Sequence, residues 1–232
     1  MIEFGDIMNE YLLEETVGEQ SKRAVVMVGR FNPPTQGHYS AIKLMTAFTV
    51  AMGHKVTPIV VVVANDNTSK DLKRNPLSAE DRIKFMTASG NANGVKFITS
   101  KTAFDAFKDV RKAGFEPYAI AAGSDRAAKY IELLDKYFTA ADGSKLKHII
   151  LPGLDERADP DDGVPSEELL DMAENGKEIP IHMMSASMAR LAVKLGKKKA
   201  FASILGVNQK LADIIFKKVK ISLNSPNAEI KK

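Results

Sequence analysis

Two short apolar runs constrain the fold of this chain more than any other feature. Ala24-Val-Val-Met-Val28 and Val56 to Ala64 are strand-length, rich in β-branched side chains, and continuous rather than alternating in polarity. A strand with one wet face alternates, whereas a strand covered on both faces does not. These runs therefore predict the interior of a parallel sheet. Val95 to Thr99, Tyr118 to Ala122 and His148 to Leu151 predict three further strands. Helical patterns separate them. One runs from about His38 to Met52 and stops at Gly53; the next opens at Ser78, an N-cap with an acid, Asp81, three residues on. Phe104, Phe107 and Val110 mark a third helix face. Ser124 is expected to cap a fourth helix, which buries Ala127, Ile131, Leu134 and Phe138. Strands that alternate with helices mean an α/β domain, here with a mostly parallel sheet of five or six strands and helices on both faces. Ligands bind such sheets at the loops that follow the strands.

Beyond the last strand the pattern turns helical. Ser166 opens a short helix ending near Gly176, Pro180 to Met184 reads as extended, and helices follow at Ser185 to Leu195, Lys199 to Leu205 and Asn208 to Val219. Residues 1–20 form an acidic amphipathic extension, with Ile2, Phe4, Ile7, Met8, Tyr11, Leu12 and Leu13 at helical spacing. The expected organisation is thus an N-terminal helical extension (1–20), a central domain (22–206) and a C-terminal helix with its tail (207–232).

Composition excludes several classes. At 232 residues, with 44% hydrophobic and 27% charged content, the chain suits one well-packed domain. No apolar run approaches the roughly 20 residues that span a bilayer, so no membrane partner is expected. There is no cysteine, which rules out disulfides and cysteine-bound zinc and makes the cytoplasm the default compartment. The net charge of +4 is concentrated late, at Lys194, Lys197, Lys198 and Lys199 and at Lys217, Lys218 and Lys220. Such runs read as solvated helix faces, or as a surface that attracts phosphates. Aromatics do not interleave with them, so a nucleic-acid partner is not expected. His54, His148 and His182 read as structural, and the acidic stretch Asp155 to Pro165 reads as a solvated loop without the ligand spacing of a calcium site.

The chemistry concentrates in Gly29-Arg-Phe-Asn-Pro-Pro-Thr-Gln-Gly-His38, directly after the first strand. Gly29 allows a sharp exit, Gly37 allows close backbone approach, and the prolines stiffen the loop between them. His38 falls at a helix start, where main-chain N–H groups and the dipole favour an anion.

This loop resembles the signature of the nucleotidyltransferases with the HxGH motif, and is closest to that of the nicotinamide-nucleotide adenylyltransferases. Three later stretches extend the resemblance in order: Asn75-Pro-Leu-Ser-Ala-Glu-Asp-Arg82, Gly123-Ser-Asp-Arg126 and Met184-Ser-Ala-Ser-Met-Ala-Arg190. The resemblance implies a Rossmann-like nucleotidyltransferase fold. It implies that His38, Arg30 and Arg190 are catalytic, and that Gly29, Phe31, Thr35, Gly37, Gly123, Asp125, Ser185 and Ser187 bind the nucleotide. Lys73, Asn75 and Arg82 would face the acceptor. The partners implied are a nucleoside triphosphate with Mg2+, held by the phosphates and water rather than by protein ligands, and a small phosphorylated acceptor such as nicotinamide mononucleotide. The chain departs from the pattern at Thr35, where the first histidine of the pair would stand. A cytidylyltransferase acting on a sugar or alcohol phosphate fits the same residues. The whole chain, with its short leader, also looks like nucleotidyltransferase-like proteins of tailed bacteriophages. That likeness adds a reading of another class, a phage assembly protein that kept the fold. Its terminal helices would then meet a virion partner or a second copy, in the virion rather than the host cytoplasm.

Overall fold

The structure, a computed structural model, describes residues 22–53, 56–65, 70–123, 138–139, 143–151 and 166–225. The leader helix, the helix expected after Ser124, Asp125, His54 and the acidic stretch from Asp155 to Pro165 lie outside the described residues. The chain divides into two compact units, one drawn from Met1–Gly29, Ala41–Val63 and Gly94–Asp155, the other from Arg30–Ser40, Ala64–Asn93 and Glu156–Lys232.

The first unit is the sheet. Its strands are β1 (Lys22–Gly29), β2 (Val56–Val63), β3 (Lys96–Ser100), β4 (Phe115–Gly123) and β5 (Lys147–Leu151), in the order β3-β2-β1-β4-β5. Every pairing is parallel, giving the Rossmann-like α/β architecture expected. The two apolar runs occupy the centre, as continuous burial requires. Ala24, Val26, Val28, Ile59 and Val61 pack on Phe107 and Val110 of helix α3 (Asp105–Lys112). Val25, Met27, Val60 and Val62 alternate to the opposite face and are equally buried. Pro58 is tolerated inside β2 because pairing with β3 begins only at Ile59 opposite Lys96. The order in which strands are added reverses about β1: β2 and β3 extend to one side, β4 and β5 to the other. The carboxyl ends of β1 and β4, Gly29 and Gly123, therefore flank the switch point.

Phe104 is a correction. It stands one residue before α3, at its N-cap position, and is 51% exposed, while Phe107 and Val110 are buried. Its spacing matches the helical stripe, but the first turn starts too late to carry it inward.

The second unit is mainly helical among the described residues and also holds the loop Arg30–Thr35. Helix α1 (Gln36–Ala51) begins in it, two residues earlier than expected. Helices α2 (Ala79–Ala88), α4 (Ser166–Glu174), α5 (Ala186–Lys194), α6 (Lys198–Leu205) and α7 (Gln209–Leu223) follow. Their apolar faces converge in one core that includes Leu77, Phe85, Leu170, Met188, Phe201, Ile204, Ile215 and Phe216. Phe201 and Phe216 meet edge to face at 5.4 Å. Asn208 caps α7, which runs on to Leu223, past the Val219 end that the pattern suggested. A Schellman turn closes α5, with Lys197 N–H on Ala192 C=O at 2.9 Å and Gly196 N–H on Val193 C=O at 3.2 Å. Gly196 takes the left-handed conformation this needs, at φ 75°. Pro180 to Met184 is not extended. Ile181–Met183 forms a single 3-10 turn, closed by Met183 N–H on Pro180 C=O and Met184 N–H on Ile181 C=O, both 3.0 Å.

The lysine clusters are mostly solvated faces, with one member of each drawn into an ion pair. Lys197 meets Asp171 at 2.8 Å, and Lys218 meets Asp81. Among the described residues no helix is long and apolar enough to cross a membrane.

Phe107 is the largest wholly enclosed side chain of the sheet unit, with Phe138 at 4.9 Å between ring centroids. Truncating Phe107→Ala should destabilise the protein by about 3–5 kcal/mol, read as a lower midpoint of urea unfolding at constant m-value.

Candidate active site

The loop that leaves β1 is built by main-chain capture. Phe31 has φ 49°, left-handed and costly for a bulky residue, and its side chain is 3% exposed. Asn32, at 3% exposure, holds the conformation in place. Its side-chain carbonyl accepts from Leu77 N–H at 3.1 Å and its amide donates to Leu77 C=O at 2.9 Å. The Asn32 side chain thereby pairs with a peptide unit as a neighbouring strand would. Two arginines take the loop's carbonyls: Arg190 Nη1 donates to Asn32 C=O at 2.8 Å, and Arg82 Nη1 donates to Arg30 C=O. Arg82 Nε also donates to Ser78 C=O at 3.0 Å.

These contacts place several of the expected site residues. Arg82, expected at the acceptor, is 2% exposed with two nitrogens on main-chain carbonyls, so it stands within the framework of the loop. Asn75 is buried at 9%, its N–H on Asp71 C=O at 2.8 Å, while Lys73 is exposed. Arg30 is exposed and Arg190 half-buried. Ser185 caps α5, accepting from Met188 N–H at 3.1 Å, and Ser187 Oγ receives Arg190 Nη2 at 3.0 Å. The first-turn N–H groups of α5 emerge at the same helix end, beside Arg190. Gly29 and Gly123 end their strands in the sheet unit.

Thr35 is 1% exposed and His38 half-buried. Thr35 N–H lies 3.0 Å and Thr35 Oγ1 2.8 Å from His38 Nδ1. The Phe31 ring meets the imidazole edge to face at 5.1 Å. Tyr39 N–H on Thr35 C=O, at 3.1 Å, is the first i to i−4 bond of α1, so Thr35 is the N-cap and His38 the third helical residue. A Cβ added at Gly37 would meet Ile181 and Met184 no closer than 3.8 Å, which is ordinary contact. One turn of chain elsewhere touches this helix start. Gly206, the left-handed C-cap of α6 at φ 63°, would place a Cβ 3.1 Å from the Gln36 side chain.

The charge here is one-sided. Burial pushes Arg82 down to about 10, and the nearby Arg30 guanidinium adds to the effect against a smaller opposing pull from Asp81. Arg190 is lowered first by burial, then by Arg30 and Arg74, with Asp71 opposing. Arg82 thus feels Arg30, and Arg190 feels Arg30 and Arg74, with Asp81 and Asp71 as the acids that oppose them. Asp81 is itself drawn to Lys218. Burial would raise its carboxyl, but Lys218 and Ser78 together bring it below its usual value. Such an excess of fixed positive charge attracts a polyanion.

Residues 26–147, more than half of the chain, match the family model described as Cytidylyltransferase-like. The chain belongs to the Cytidylyltransferase-like family. Its general class is thereby a nucleotidyltransferase, on the α/β Rossmann-like sheet described above. The match covers the loop Gly29–His38 and the stretch Asn75–Arg82 of this cytidylyltransferase-like chain, and it ends before Ser185 and Arg190. No curated protein matches the sequence. Asn32 escaped the sequence reading. Its one signal was a polar residue set between Phe31 and two prolines.

Two outcomes follow from these contacts. Asn32→Ala leaves both main-chain polar groups of Leu77 unsatisfied and should cost about 2–6 kcal/mol, at roughly 1–3 for each buried group; denaturant melts would read it. Tyr39 is 2% exposed, and burial pushes its phenol up to about 12, partly offset by Ser89. An unfolded tyrosine ionises near pH 10. Between about pH 10 and 12 the unfolded chain has released a proton that the native state keeps, so stability falls as pH rises there. Thermal melts of Tyr39→Phe should show a shallower alkaline decline than wild type.

Proposed function

We propose that the protein transfers AMP from ATP to a small phosphorylated acceptor such as nicotinamide mononucleotide, with release of pyrophosphate. The observation that carries this reading is the group of Arg30, Arg74 and Arg190, with Arg82 buried on the Arg30 carbonyl, together with helix α1, which Thr35 caps and which has His38 in its first turn. An acceptor phosphate oxygen attacks the α-phosphorus, a new P–O–P bond forms, and the bond to the β-phosphate breaks with its electrons leaving on pyrophosphate. Transfer of this kind needs positioning and charge stabilisation more than a nucleophile or a strong base. His38 would donate to a phosphate oxygen, and Arg30 and Arg190 would neutralise the growing charge on the leaving pyrophosphate. Ser187 and the first-turn N–H groups of α5 would hold the β- and γ-phosphates. Gly123 and Asp125 would face the nucleoside, and Lys73 and Asn75 the acceptor phosphate. Magnesium enters as part of the triphosphate substrate. Among the described residues no group of three or more His, Cys, Asp or Glu side chains is placed to hold a metal. Membership of a family described by its cytidylyltransferases favours CTP as the second donor to test.

The reading is tested by pyrophosphate release with ATP and CTP separately, against acceptors led by nicotinamide mononucleotide. His38→Ala should slow the chemical step by roughly 10²- to 10³-fold, the usual effect of losing one transition-state donor. Gly37→Ala gives a sharper separation of fold from function. A methyl there meets only ordinary contacts, so stability should hold or rise by up to about 1 kcal/mol. The same methyl should raise the triphosphate KM at least about tenfold. If Gly37→Ala retained full activity, no triphosphate would approach that backbone. No release with any pair, and no triphosphate binding, would favour the assembly reading.

A further inference from the structure

Thr35 was expected to touch the triphosphate, yet it is 1% exposed and its N–H and hydroxyl both face the His38 ring. The geometry points to a different role, in which Thr35 is a positioning residue that fixes the tautomer of His38. In a capping box the N-cap residue is Ser or Thr, and the third helical residue, normally Glu or Gln, reaches back to accept from the N-cap N–H. Thr35-Gln-Gly-His38 has that spacing, with an imidazole in place of the carboxylate.

The substitution has a chemical consequence. An amide N–H carries no lone pair, so the contact from Thr35 N to Nδ1 at 3.0 Å is a hydrogen bond only if Nδ1 accepts. Nδ1 is then unprotonated and the ring proton sits on Nε2. The Thr35 hydroxyl at 2.8 Å is the second donor to the same nitrogen. An imidazolium, or the Nδ1–H tautomer, would set two N–H donors against each other at this distance. Phe31, held left-handed by the loop, meets the same ring from its side and limits its rotation. His38 is thereby a neutral donor through Nε2, suited to a phosphate oxygen and unable to serve as a base at that nitrogen. A helix cap and a phosphate donor are the two ends of one imidazole. The phosphate half of this statement rests on the proposed function; the tautomer half does not.

The test uses the full-length protein labelled with 15N, with His38 assigned by comparison with His38→Ala. Long-range 1H–15N correlation should show the proton on Nε2, and a scalar coupling across the hydrogen bond should join the Thr35 amide nitrogen to Nδ1. Thr35→Ser should keep both signals, with an unchanged Nδ1 shift. Thr35→Val keeps the amide and loses the hydroxyl, so Nδ1 should move towards the frequency of an unbonded ring nitrogen. A proton on Nδ1, or no coupling to the Thr35 amide, would overturn the proposal. With the substrate pair that releases pyrophosphate, Thr35→Val should lower kcat roughly 10- to 100-fold, as small misplacements of a reacting group do, and leave the triphosphate KM unchanged. A raised KM with unchanged kcat would instead put Thr35 on the phosphates and overturn the positioning role. If no pair releases pyrophosphate, the proposed function fails, and the spectra still decide the tautomer.

Discussion

The loop depends on one side chain behaving as main chain. Asn32 offers a carbonyl and an amide in the geometry of a peptide group, and Leu77 answers with its own N–H and C=O. A loop that leaves a buried strand carries polar groups that need partners, and irregular backbone cannot supply them in a ladder. The asparagine solves this locally. Its own carbonyl then receives Arg190, so the pairing that fixes the loop also sets the height at which a guanidinium sits. Replacing either contact with water would leave the left-handed Phe31 without the surroundings that hold it.

Holding the loop with arginines has an electrostatic side. A lysine or a neutral donor could satisfy one carbonyl, but the fork of a guanidinium reaches two acceptors and keeps its charge. Arg82 bridges Ser78 and Arg30, while Arg190 bridges Asn32 and Ser187. The framework is therefore charged as well as rigid, and both of these arginines also feel the charge of Arg30. Asp81 meets part of the excess but is shared with Lys218 from α7, which links the last described helix to the balance of charge around the loop.

Much of this was legible in the sequence, for identifiable reasons. The five strands were found because burial on both faces makes β1 and β2 continuous apolar runs. The helix starts at Ser78, Ser185 and Asn208 were found because each cap side chain occupies its usual place. The failures also have causes. Phe104 carries the right spacing but precedes its helix, and Pro180 to Met184 closes on i to i+3 bonds that no polarity pattern encodes. In the site, His38 was suggested by its place at a helix start after a buried strand, and Thr35 and Arg190 by the family resemblance. The Leu77 partner of Asn32 and the Arg30 carbonyl that Arg82 holds lie 45 and 52 positions away in sequence, beyond the reach of any local pattern.

Gly206 shows how far this reach extends. It is exposed and ends an ordinary helix, so it would pass for a free surface position, with its left-handed φ as the only restriction. Yet the space a side chain would need is filled by the Cβ and Cγ of Gln36, at 3.1 Å. These atoms sit close to the backbone, so Gln36 would have to give by a few tenths of an ångström to admit one. The turn between α6 and α7 and the first residue of α1 are therefore in tight contact. A change that looks like surface drift near the C-terminus would be felt one residue away from Gly37.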